Sequence, residues 1–118
     1  MNPRTPASEW VQTYPAEIMV CDAAGTILEM SNVAIQIYEK EGGATMIGSN
    51  VFEHHNENAR KQMMAVVNLR KHVIYTTEKG GLKKLVSIAP WFRGGEYAGF
   101  ALIVLDLPES IPNINKDG

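Results

Sequence analysis

The chain has 118 residues, of which 45% are hydrophobic and 20% charged, and a net charge of −2, which suits one soluble domain with its own core and leaves little room for two. No apolar run approaches the roughly eighteen residues a membrane-crossing helix needs, and a slightly acidic chain sets up no field to gather polyanions, although Lys79, Lys83, Lys84 and Arg93 could cluster locally. A membrane span and direct nucleic-acid binding are therefore not expected; the absence of an apolar secretory signal in MNPRTPASEW, with a lone Cys21 that cannot form an internal disulfide, points to a reducing cytoplasm.

Residues 1–14 form an N-terminal segment whose first eight positions carry two prolines and read as poorly ordered. Ser8 to Tyr14 predicts a short amphipathic helix, with Ser8 as cap, Glu9 in the first turn and Trp10, Val11 and Tyr14 presenting apolar surface; Pro15 stops it. The stretch EIMVCDAAGTILEMSNVAIQIY then carries the most information. Ile18 to Cys21 is a short apolar run, Asp22 to Gly25 supplies turn chemistry, and Thr26 to Met30 resumes a strand pattern, so a hairpin is expected. A helix follows with apolar Val33, Ala34, Ile37 and Tyr38; Asn32 is the preferred cap, with Ser31 close behind.

Glycines 42, 43 and 48 allow only short helical turns next. Asn56 and Glu57 open the longest helical candidate, ENARKQMMAVVNLRK, with Ala59, Met63, Val66 and Val67 near one face and Lys61 and Asn68 toward water. From His72 the pattern becomes three strand-like runs, HVIYTTEK, LKKLVSIAPWF and YAGFALIVLDL, separated by glycine-rich turns, a meander of three antiparallel strands. With the first hairpin that makes five strands, and helices inserted between the second and third: an α+β domain over residues 15–108, followed by a flexible tail over 109–118.

The order and spacing of Asp22, Gly25, Asn32 and Ala34 resemble the opening of the PAS sensory domains, which commonly runs strand, Asp-x-x-Gly, second strand, Asn-x-Ala. The resemblance extends through Ile47-Gly48 and the closing segments KKLVSIAPWF and EYAGFALIVLDL. It implies a five-stranded antiparallel sheet in the order 2-1-5-4-3 with short helices packed on one face, and a last strand that is central, consistent with FALIVL being buried on both faces. It also implies a sensory or regulatory role in signal transduction, exerted on an effector protein or domain. The chain is then either a stand-alone sensor or a part of a larger one.

The space between sheet and helices, which PAS proteins use for small molecules, has candidate lining residues Met30, Ile37, Tyr38, Met46, Val51, Phe52, Met63 and Val67 from the helical side. From the sheet come Ile74, Val86, Ile88, Phe100, Leu102 and Val104. Six methionines could repack around guests of different shape, and an apolar guest suits this lining better than a charged one. Asn32, Tyr38, Tyr75 and Ser87 are polar groups that could orient it. Plain core packing is the competing expectation, and which strand residues point inward depends on a one-residue register. Trp10, Tyr14 and Trp91 are candidates for a homodimer interface; Trp10 and Tyr14 could equally cover the sheet of their own chain, and Trp91 could cap the cleft.

Catalytic residues are not indicated. His54 and His55 are adjacent and diverge, Cys21 reads as a small buried thiol, and no oriented acid partner accompanies His55 or His72 as a base. No metal-ligand or phosphate-loop spacing is present. Covalent flavin chemistry, which in the family needs a cysteine ahead of the long helix, is not expected, since none lies between Ser31 and Lys71. Haem-binding members usually supply an axial histidine from that helix, which here has none; His55 just before it is the weak substitute, against a loop in which an imidazole hydrogen-bonds the backbone. An interaction scaffold with a self-filled cleft is the rival from another class.

Overall fold

The computed structural model describes residues 9–117, so the expected Ser8 cap and the order of the first eight residues lie outside the described residues. A short helix α1 (Glu9–Thr13) leads into β1 (Glu17–Asp22), β2 (Ile27–Met30), α2 (Asn32–Ile37), three 3₁₀ turns (Glu39–Glu41, Gly43–Met46 and Val51–His54) and α3 (Glu57–Leu69). Strands β3 (Val73–Lys79), β4 (Leu82–Arg93) and β5 (Glu96–Asp106) complete the chain. The five strands form one antiparallel sheet in the order β2-β1-β5-β4-β3, the α+β architecture expected.

The first turn is built by Asp22, whose Oδ1 accepts from the backbone N–H of Ala24 and of Thr26, both at 2.9 Å. Gly25 takes φ +88 there, where a Cβ would run into the Phe52 ring. In the β1–β5 pairing Met19 faces Leu102 and Cys21 faces Phe100, and in the β4–β5 pairing Val86 faces Val104 and Ile88 faces Leu102. These residues share one face of the sheet. They meet Ile27, Met30, Ala34, Met46, Val51, Met63 and Val66 in a single core. The long helix lies over β4 and its neighbours β3 and β5, with Asn56 Oδ1 accepting from the Ala59 N–H at 2.9 Å as its cap and Arg70 ending it in the left-handed conformation.

Ser31, not Asn32, caps α2: its Oγ accepts from the Ala34 N–H at 3.1 Å, while Asn32 is already the first helical residue and exposed. And β5 is central but not buried on both faces; Phe100 and Leu102 are buried toward the helices, whereas Ala101, Ile103 and Leu105 on the other face are half-buried or exposed. The reason is that the helices of the core cover only one side of the sheet. Pro90, inside β4, is tolerated because β3 begins opposite Ile88, leaving that edge of β4 unpaired beyond it. Residues 109–117 carry no regular structure and are exposed.

Candidate functional site between sheet and helices

Most of the expected lining residues come together. Met30, Met46, Val51, Met63, Val86, Ile88, Phe100 and Leu102 are buried in one cluster, and Tyr38, Phe52, Val67 and Val104 pack against it. Phe52 and Phe100 lie in tilted contact, ring centroids 6.1 Å apart. Met19, Met30, Met46 and Met63 are all 2% exposed or less, so their thioethers fill the space rather than line an open hollow. Surface hollows of about 430 Å³ beside Asp22 and Tyr97 and about 580 Å³ along the outer side of α3 lie apart from this cluster.

Ile37 and Ile74 are not lining residues. Ile37 is 47% exposed, because α2 turns Ala34 and Tyr38 toward the core and leaves Ile37 on its outer side. Ile74 is 59% exposed, because the register of β3 against β4 sends Val73 and Tyr75 inward, the one-residue shift that inverts a strand's faces. Ser87, opposite Ile74, lies on the outer face as well and holds His72, with Oγ and Nε2 2.6 Å apart. Of the four polar groups considered for orienting a guest, Tyr38 and Tyr75 adjoin the core, and Asn32 and Ser87 do not.

The polar edge of the core is a trio the sequence did not single out. Glu17, the first residue of β1, is 7% exposed, and its Oε2 lies 3.2 Å from the Tyr38 hydroxyl. The same hydroxyl lies 3.2 Å from His55 Nε2, and His55 Nδ1 lies 3.0 Å from the Val51 carbonyl oxygen. Burial raises the Glu17 pKa, opposed by the Tyr38 hydrogen bond and by Lys84; burial lowers that of His55, opposed by its bond to Val51. Tyr38 is pushed well above the ordinary phenol range, first by burial and then by Glu17. A buried acid at the start of a strand has no signature in a linear pattern, since its partners lie 21 and 38 residues away and only the fold collects them.

His55 therefore has a partner at each ring nitrogen, the Val51 carbonyl at Nδ1 and the Tyr38 hydroxyl at Nε2, as in a loop whose imidazole hydrogen-bonds the backbone. His54 points elsewhere, its Nε2 2.9 Å from Ser49 Oγ. Among the described residues no three His, Cys, Asp or Glu side chains gather to hold a metal ion. Burial pushes the Cys21 thiol up to about 12, so it is protonated at neutral pH. Trp91 is half-buried and donates its indole N–H to the Cys21 carbonyl at 2.9 Å, so its polar tip ties β4 to β1. Trp10 and Tyr14 are 60% and 45% exposed and pack edge to face, centroids 6.2 Å apart. Among the described residues no helix is long and apolar enough to cross a membrane.

No protein-family model matches the chain, and no curated protein matches it significantly. Solved structures do. A sensory box sensor histidine kinase from Vibrio cholerae superposes with a TM-score of 0.66 at 15% identity, over 86% of this chain and 90% of that one. The Aer2 receptor of Vibrio cholerae, described as a dual PAS-haem oxygen sensor, matches at 0.58 and 19% identity, over 79% of this chain and 95% of that one. VqmA of Vibrio cholerae matches at 0.68 and 12% identity over 92% of this chain, which spans about half of that protein (53%). At these identities the likeness is one of fold, and the fold is PAS-like.

Proposed function

We propose that the chain is a non-enzymatic, cytoplasmic PAS-type sensory or regulatory module, which takes a small apolar guest between sheet and helices and pairs with a second copy of itself. The observation that carries this reading is a PAS-like sheet with two unlike faces. One face carries Met19, Met30 and Phe100 and meets Met46 and Met63 from the helical side in a repackable core; the other presents Ile103, Leu105 and Ile74 half-covered or bare. A guest transmits a signal only by favouring one of two arrangements of the module, which requires different affinity for the two. An effector protein or domain would read that difference.

The methionines report on the guest. With 13C-methyl methionine and indole as a neutral aromatic probe, the methyl signals of Met30, Met46 and Met63 are expected to move saturably while exposed Met64 stays put. No shift at any buried methyl would contradict guest binding. The second reading, an interaction scaffold whose cleft is filled by its own side chains, is favoured by one specific observation: those lining side chains are already close-packed, with Met30, Ile88 and Phe100 at 0–1% exposure. It predicts pairing of subunits with no methyl shift.

A further inference from the structure

The trio at the polar edge of the core has a hydrogen count that does not close without an added proton. The Val51 carbonyl can only accept, so His55 Nδ1, 3.0 Å away, carries a hydrogen. The Tyr38 hydroxyl has one hydrogen and two partners, Glu17 Oε2 and His55 Nε2, each at 3.2 Å. With an ionised Glu17 and a neutral His55, both partners are acceptors, and one of the two contacts has no hydrogen in it. One additional proton closes both, in either of two ways. Placed on Glu17, it donates to the Tyr38 oxygen while Tyr38 donates to His55 Nε2. Placed on His55 Nε2, it donates to the Tyr38 oxygen while Tyr38 donates to the Glu17 carboxylate. The two arrangements hold the same protons and interconvert by moving each hydrogen across its own link.

We propose that Glu17, Tyr38 and His55 form a binding site for one shared proton, whose gain or loss makes or breaks the link joining β1, the end of α2 and the turn ahead of α3. The charged and titratable neighbours leave this account standing. Glu17 is faced by Lys84 from β4, Asp106 from β5 and Tyr75 from β3, and Lys84 and Asp106 pair with each other at 3.7 Å and act on Glu17 in opposite senses. Tyr38 is faced also by Glu41 from the turn after α2, and His55 by its neighbour His54 and by Arg60 of α3. Burial favours the neutral forms of both Glu17 and His55, which places the shared proton on the carboxyl in the commoner arrangement. The site stands on these contacts alone and does not require the sensory role.

The test follows the Glu17 carboxyl carbon and the His55 ring nitrogens by NMR as pH is varied in the intact chain. The two residues are expected to change with one common midpoint, as groups sharing a proton do. Glu17→Gln supplies a permanent donor to Tyr38, so the His55 transition should leave that midpoint, its proton affinity falling by about tenfold or more, one pKa unit. Tyr38→Phe should separate the two transitions. Distinct midpoints for Glu17 and His55 in the unaltered chain, or a His55 midpoint unmoved in Glu17→Gln, would overturn the proposal; the Glu17→Gln measurement decides it even if Tyr38→Phe does not fold.

Discussion

Ser31 joins three backbone groups that belong to different elements. Its Oγ accepts from the Ile18 N–H at 2.9 Å and from the Ala34 N–H at 3.1 Å, and donates to the Ala16 carbonyl at 2.7 Å, all buried. Removing it strands those groups away from water, so Ser31→Ala is expected to cost about 2–4 kcal/mol, seen as a lower urea midpoint at unchanged m-value. Asn32→Ala, on an exposed side chain, should cost under about 0.5 kcal/mol. The sequence offered both residues as caps, because each type caps helices equally well; only the closeness of β1 decides for Ser31. Glu17 belongs to the same scale. Its folded pKa lies above its ordinary 4.5, so the folded chain holds this proton longer than the unfolded one as pH rises. Its contribution is fully present below 4.5 and is lost as pH climbs through the raised value. Thermal melts of Glu17→Gln and the unaltered chain should therefore diverge in favour of the variant as pH rises. A difference independent of pH would contradict this.

At the scale of elements, the β1–β2 turn and the 3₁₀ turn at Val51–His54 are held to each other. Gly25 has φ +88, and a Cβ there would fall 2.7 Å from the Phe52 ring, whereas Gly48 at φ +96 has open space around it. Gly25→Ala is thus expected to cost about 1–3 kcal/mol, more than Gly48→Ala, which carries backbone strain alone; parallel denaturation curves check the order. The strands were legible because each is bounded by residues that turn chains: Asp22 to Gly25, Gly80-Gly81 and Gly94-Gly95, the last two pairs with both residues at positive φ, as a type I′ hairpin turn requires. The face of β3 was not legible. In HVIYTTEK, Val73, Ile74 and Tyr75 are all strand formers, and apolarity alone does not say which of two alternating sets points inward. Pairing with β4 decides it, through Val73 opposite Ile88 and Tyr75 opposite Val86. Ile37 was misplaced for a similar reason: α2 has six residues, too short for a helical period to identify its buried side.

For the whole molecule, the sheet order was accessible only through the likeness of Asp22, Gly25, Asn32 and Ala34 to a known opening, since spacing leaves the order of five antiparallel strands undetermined. The functional account then turns on the two faces of that sheet. If copies pair through the outer face, a charge placed there must be buried without a partner, so Ile74→Glu combined with Leu105→Glu is expected to convert a dimer to a monomer with little change in melting temperature, because both side chains are exposed within one chain. Sedimentation equilibrium measures this, and an unchanged dimer would place the contact elsewhere. The most direct measurement of the central claim is native mass spectrometry of the chain as it comes from cells. A sensory module of this kind predicts a dimer carrying a small molecule that leaves on collisional activation, whereas a monomer of bare chain mass at every concentration would contradict it.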